Sequence, residues 1–353
     1  MNKSTVNLLP GPVEVKSNVR QAFQDSVVSH RSEEFINDFS SLKDKLADMV
    51  GCRFAQIFMG SGTMANDVIA AQLKHISGTG LIISNGEFGE RLIDHAKSAS
   101  IDFDHISFDW GDCFDYDYIS DVLDKKIPPS WIWVVNCETS TGVLNKITDL
   151  IKLSEKYQSK LVLDCISSVG NIPLDLSRVY LASGVSGKGF ASYSGLSMVF
   201  HNHEVKLNQH EIPRYLNLAL YASAGIPFTL SSNLIYALNT AIDNYSEFPL
   251  FDIKHTNTIY VINKLEKLGF KIISDIQNSS SGVVTIELPR EVNSRYVGDS
   301  LRELGIETSY ASEYLLIKNW LQICTMGEVN SKDISNVIDL IYSICAKQKS
   351  LIS

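Results

Sequence analysis

Along the middle of the chain, short apolar runs alternate with longer segments in which apolar residues recur every three or four positions. RFAQIFM (53–59), LIIS (81–84), FDHISFD (103–109), WIWVVN (131–136), KLVLD (160–164) and SMVFHN (197–202) read as short strands. Between them MANDVIAAQLKHI, the segment from Gly89 to Ser98, and ITDLIKLSEKYQ carry helical spacing. Strands alternating with such helices predict βαβ units and an α/β fold, with a large, doubly wound, mostly parallel sheet covered on both faces. Ligands of such sheets bind at the carboxyl ends of the strands, so the loops after each run deserve the closest reading. From Asp252 the order changes to HTNTIYVINKLEKLGF, KIISD, GVVTIELP, SRYVGDSLRELG, IETSYAS, WLQICTM and DISNVIDLIYSICAKQ. Helix, two strands, helix, two strands, helix predicts a small C-terminal α+β domain over 251–353, after a large domain over 21–250.

Composition narrows the function. With 353 residues, 44% hydrophobic and 20% charged, the chain is long enough for two ordinary globular domains. Its 31 basic and 40 acidic residues give a net charge of −9, which argues against a nucleic-acid partner. No run approaches the roughly 18 consecutive apolar residues of a membrane span, so no membrane partner is expected. The first residues, MNKSTVNLLPGPVEV, lack the apolar stretch of a secretory signal. Cys52, Cys113, Cys137, Cys165, Cys324 and Cys345 are scattered, which fits reduced thiols and predicts a cytoplasmic protein.

Five strand-end loops carry candidate chemistry. Gly60-Ser61-Gly62-Thr63 stands between a strand and a helix, where N–H groups and the helix dipole favour an anion; taken alone, a plain turn capped by Thr63 explains it better. Asn85-Gly86-Glu87-Phe88-Gly89 offers an aromatic ring, and Glu138-Thr139-Ser140-Thr141-Gly142 offers hydroxyls. Asp164 ends an apolar strand, where a carboxylate must be paired, solvated or protonated. Lys188 follows in ASGVSGKGFASYSG, whose small residues allow a bulky planar group to approach. A Lys that forms a Schiff base and an Asp that pairs with a pyridinium nitrogen are what pyridoxal phosphate chemistry asks of a protein. Two other features read as structural. His201 and His203 have no third ligand nearby and suit a solvated strand end better than a metal, and Trp131 and Trp133 suit the core.

Nine motifs in order, LLPGPVEV, SHRSEEF, MGSGTMAN, NGEFGER, CETSTGVLN, LVLDCISSVG, the Lys188 tract, PFTLSSNLIYAL and CTMGEV, resemble the class V aminotransferases. The nearest resemblance is to 2-aminoethylphosphonate–pyruvate and alanine–glyoxylate aminotransferases, of fold type I among pyridoxal phosphate-dependent transferases. The resemblance implies an enzyme that moves an amino group between a small amine or amino acid and an oxo acid or aldehyde. Lys188 would hold pyridoxal 5'-phosphate as a Schiff base and shuttle the proton, with Asp164 on the pyridine nitrogen. Phe88 would stack on the ring; Ser61, Gly62 and Thr63 would bind the phosphate; Thr139 and Ile166 would complete the cofactor contacts. Thr229 would reach the phosphate of a neighbouring subunit's cofactor, which implies a homodimer with composite sites. The N-terminal segment, 1–20, would cross near the site.

The chain departs from the family at the position of the Arg that grips a substrate carboxylate. There it has Gln322, which supplies hydrogen bonds but no charge. Three explanations stand: a substrate without an α-carboxylate at that place, another cation such as Arg31 or Arg214, or a reaction other than standard transamination. Gly187 before Lys188 and Ile226 before Thr229 also replace larger or more polar family residues. A lyase or decarboxylase on the same scaffold, or a catalytically silent relative that binds the cofactor, are the rival readings.

Overall fold

Each apolar run lies in a strand whose alternate side chains enter two different cores. The computed structural model describes residues 6–205 and 212–352. Seven strands form one sheet in the spatial order Phe54–Met59, Leu196–His201, Leu181–Val185, Lys160–Asp164, Trp131–Val135, Gly80–Ser84, Phe103–Ser107. All run parallel except Leu196–His201, which is antiparallel to both neighbours. Leu81, Ile83, Ile132, Val134, Leu161 and Leu163 pack on one face with helix Glu33–Met49. Ile82, Trp131, Trp133, Val135 and Val162 pack on the other with helices Gly62–Leu73 and Glu87–Ser98. Both tryptophans are fully buried. That two-sided burial is why the runs read as continuously apolar.

One strand gave no apolar signal in the sequence. Leu181–Val185 reads LASGV, poor in the β-branched and aromatic residues that strands favour. Its middle is small because the Phe200 ring lies against it: a Cβ on Gly184 would meet that ring at 2.9 Å.

The C-terminal half builds a second core. Strands Lys271–Ile272, Val283–Glu287 and Trp320–Cys324 form an antiparallel sheet, shorter at its first strand than KIISD suggested. Helices Leu250–Lys267, Ser294–Glu303 and Ser331–Ile352 cover it, and Val261, Val284, Leu301, Ile323 and Ile338 meet inside. The N-terminal strand Val6–Leu8 joins this core by pairing in parallel with Ile306–Thr308, and Leu8 is buried there. The chain then runs back to the large sheet past Gly11, where a Cβ would lie 3.3 Å from Lys188 Cγ. Among the described residues, no helix is long and apolar enough to cross a membrane.

Gly298 tests how tightly this second core is packed. It lies within helix Ser294–Glu303, where Ala would gain about 1 kcal/mol of helix propensity. A Cβ there would lie 2.1 Å from the Tyr310 ring, which is 1% exposed and held by its hydroxyl to Asp299 Oδ1 at 2.5 Å. The ring cannot yield, so overpacking outweighs propensity. Gly298→Ala is expected to lower unfolding free energy by about 1–3 kcal/mol in a urea titration, and an unchanged midpoint would refute the packing argument.

Candidate active site

The carboxyl ends of five parallel strands converge on a cavity of about 200 Å³. Gly62, Thr63, Phe88, Thr139, Asp164, Ile166 and Lys188 all line it, as the sequence suggested. Asp164 ends its strand 5% exposed, and both carboxylate oxygens have donors. Asn66 Nδ2 donates to Oδ2 at 2.8 Å, and the backbone N–H of Ile166 donates to Oδ1 at 2.9 Å. Those two donors replace water that burial takes from the carboxylate.

Lys188 faces it across the cavity. Its ammonium donates to Ser167 Oγ at 2.9 Å and lies 5.2 Å from the centre of the Phe88 ring. Ser167 Oγ in turn shares a short hydrogen bond with Thr139 Oγ1. Burial holds the Lys188 amine below the ordinary lysine range, and the Asp164 charge only partly opposes this. The neutral form, the nucleophilic one, is therefore more accessible than in an exposed lysine. Gly187 leaves no room for a side chain, since a Cβ there would lie 3.0 Å from Ser194 Cα.

Phe88 is aimed by a carboxylate that sequence reading passed over. Glu138 is fully buried and accepts from the N–H groups of Phe88 (3.3 Å), Gly89 (2.9 Å) and Ser140 (3.1 Å), and from Ser140 Oγ at 2.5 Å. It thus caps the helix Glu87–Ser98 from another loop, where the helix dipole favours negative charge. Burial raises its pKa, and these four donors work against that rise. The approach is close: a Cβ on Gly86 would stand 2.4 Å from Glu138 Cγ.

The phosphate-loop reading is refined at one point. Ser61 is the N-cap of helix Gly62–Leu73, but its hydroxyl makes no capping bond, and Ser61 is exposed and not among the cavity's lining residues; Thr63 lies inside the helix and is not the cap. Gly62, Thr63 and Asn66 share the helix face that lines the cavity. Arg91 and His95, from the Phe88 helix, line it too. Arg91 pairs with Glu87 at 2.9 Å, and His95 Nδ1 pairs with Asp67 Oδ1 at 2.6 Å. The spacing 88, 91, 95 along one helix was the signal available for both.

Three further expected residues stand outside the cavity. Gln322 is not among the cavity's lining residues; it is fully buried, and its amide Nε2 donates to Thr139 O (2.6 Å), Ser140 O (3.2 Å) and Thr285 Oγ1 (3.0 Å). It braces the turn that presents Thr139. Thr229 is exposed, as is Arg31, whose guanidinium donates to Ile226 O at 3.2 Å. Both therefore belong to one outward loop pair rather than to this chain's own cavity. Arg214, the other cation considered, starts a short 3-10 turn and sits 5.6 Å from the centre of the Phe228 ring, also outside the cavity. His201 is a correction: it is buried, with Nδ1 on His203 O at 2.8 Å and Nε2 near Gln56 Nε2 at 3.3 Å, not at a solvated strand end.

A seven-stranded sheet with a single antiparallel strand, with a buried Asp at one strand end and a half-buried Lys opposite it, is the fold type I architecture of solved aminotransferases. The sequence matches the model of the family Aminotransferase class-V over residues 14–313, and the chain belongs to that family. It is 25% identical over 343 residues to an uncharacterized aminotransferase of Methanocaldococcus jannaschii, covering 93% of this chain and 89% of that one. It is 23% identical over 361 residues to a 2-aminoethylphosphonate–pyruvate transaminase of Bacillus mycoides, covering 97% and 98%. Among solved structures, ureidoglycine–glyoxylate aminotransferase from Bacillus subtilis superposes with a TM-score of 0.90 at 20% identity, over 99% of this chain and 94% of that one. Alanine–glyoxylate aminotransferase from Nostoc sp. superposes with 0.87 at 23% identity, over 98% and 96%.

The Glu138 cap carries a prediction. Glu138→Gln keeps the size but replaces one acceptor oxygen by a donor facing N–H groups. Stability is expected to fall by about 1–3 kcal/mol in denaturant unfolding. A variant as stable as wild type would show that the carboxylate does not hold the Phe88 helix.

Proposed function

We propose that this chain is a pyridoxal phosphate-dependent aminotransferase that moves an amino group from a small amine or amino acid to an oxo acid or aldehyde. The observation that carries the reading is that buried Asp164 and half-buried Lys188 line one cavity, with Phe88 beside the amine. The donor set suits the cofactor: a helix N-terminus with Gly62 and Thr63 for a phosphate, an aromatic face for a ring, a carboxylate for a protonated ring nitrogen and an amine for an aldehyde. The orphaned Oδ1 of Asn66, buried beside Asp164, is a further polar atom at the cavity without a partner. When bound, pyridoxal phosphate supplies a conjugated ring that accepts the electron pair left at a substrate carbon.

The chain's own residues do the rest. Asp164, held by Asn66 and the Ile166 N–H, would keep a proton on the ring nitrogen. Lys188, lowered in pKa by burial, would take a proton from the substrate Cα at its Nζ and pass it to the cofactor's aldehyde carbon. Phe88, which lines the cavity, would cover one ring face and keep water from it. The outward position of Arg31 and Thr229 supports a homodimer in which each protomer's loop completes its partner's site. The division of the chain near residue 250 supports a large cofactor-binding unit closed by a smaller one. Reduced thiols at all six cysteines are in keeping with a cytoplasmic enzyme.

Because Gln322 is committed to backbone carbonyls, no Arg stands at the family's carboxylate-binding position. This favours donors without an α-carboxylate. A cation in that role contributes about 1.5–3 kcal/mol through a charged hydrogen bond, a factor of roughly ten to a hundred in affinity.

Two measurements check the reading. Incubation with pyridoxal phosphate is expected to give an absorbance band near about 410–430 nm that Lys188→Ala abolishes; no band in the wild type would sink the cofactor assignment. In a donor screen with an added oxo acid, simple amines are expected to turn over better than their α-carboxylated counterparts. A preference for α-amino acids would refute the argument from Gln322, and donor consumption without amination of the oxo acid would point to a lyase.

A further inference from the structure

Beneath the two reactive loops lies a buried amine that the proposed chemistry does not use. Lys254, in helix Leu250–Lys267, is 5% exposed. Its ammonium donates to Gly170 O at 2.5 Å, to Gly189 O, and to Tyr245 Oη at 2.7 Å. Three donors thus meet three acceptors. Tyr245 Oη reaches the same two carbonyls, at 2.7 Å for Gly189 O. Gly170 ends the turn that follows Asp164, and Gly189 is the residue after Lys188.

The two loops are already pressed together here. A Cβ on Gly189 would meet Val169 O at 2.3 Å and Asn171 N at 2.7 Å. The helix that carries Lys254 is itself fixed to the second core, because Thr258 Oγ1 accepts from the Gly282 N–H at 2.7 Å and donates to Lys254 O at 2.8 Å.

The charge is not offset by a carboxylate contact among the described residues. Burial pushes Lys254 down to about 7, and Lys16 on the N-terminal segment pushes the same way. Lys16 and Glu328 line the adjoining cavity of about 200 Å³, and Tyr245 faces the amine from helix Ser232–Glu247. Mere space-filling at this place would be served better by an apolar side chain, since a buried charge carries a desolvation penalty. What the ammonium does that an apolar group cannot is hold two carbonyls from different loops at once.

We propose that Lys254 is a positioning residue whose ammonium ties the Asp164 loop to the Lys188 loop and fixes the separation of those two groups. The role rests on the cofactor reading above, while the tie itself belongs to the chain without cofactor. The full chain is compared as wild type, Lys254→Met and Tyr245→Phe. Amide hydrogen exchange of segments 165–171 and 186–192 is measured without cofactor, and the pH midpoint of the pyridoxal phosphate absorbance band with it. Lys254→Met is expected to exchange about tenfold faster in both segments, with strand 131–135 unchanged, and to shift the band's pH midpoint. Tyr245→Phe, which leaves the ammonium in place, is expected to give a smaller acceleration in the same two segments. Exchange equal to wild type in both segments, or an acceleration spread over the whole sheet, would overturn the proposal. If Lys254→Met fails to fold, the Tyr245→Phe exchange alone decides in the same terms. No band in the wild type would retire the cofactor reading, and the exchange data would still judge the tie.

Discussion

The constraint on which the site depends is the burial of one carboxylate at the end of a parallel strand. Asp164 has lost nearly all its water, so every group around it must replace a solvent donor or an opposing charge. Asn66 is brought from helix Gly62–Leu73 for that purpose, and the turn Cys165–Ser168 folds back so that Ile166 offers its N–H. Lys188 then shares the cavity, its amine made less basic by the same burial.

A second buried carboxylate orders the opposite wall. Glu138 has no cation among its hydrogen-bond partners and spends its acceptors on the amino end of the Phe88 helix. The turn that follows it is held from the other side: Gln322 and Thr285, on neighbouring strands of the small sheet, bond to the carbonyls of Thr139 and Ser140. The second core therefore sets the position of a loop that lines the first domain's cavity. The same second core carries Lys254 under the Lys188 loop. Polar bonds to carbonyls make these joins, and they set geometry without adding charge to the cavity.

This gives the missing Arg a structural meaning. A Gln at position 322 supplies the two N–H donors that the Thr139–Ser140 carbonyls need, so the site keeps its shape while losing a fixed positive charge. Among the side chains that line the cavity, Arg91 is paired with Glu87, and His95 Nδ1 is hydrogen-bonded to Asp67.

The periodicity of the chain determined the architecture, because strands covered on both faces must be apolar throughout and their helices amphipathic. Trp131, Trp133 and the run 160–164 could be placed from their own composition. The same rule located the cavity, since strand-end loops are local in sequence: Thr63, Phe88, Thr139, Asp164 and Lys188 were all legible. Strand Leu181–Val185 was not, since its small residues are explained only by the Phe200 ring beside them. Nor were the bonds of Asn66 to Asp164, of Glu138 to the Phe88 helix, or of Gln322 to the 139–140 turn, which span 98, 49 and 183 positions along the chain. Sequence by itself fixes which residues can do chemistry at a strand end. Which donor satisfies each buried charge is a matter of distance in space, and only the tertiary structure decided it.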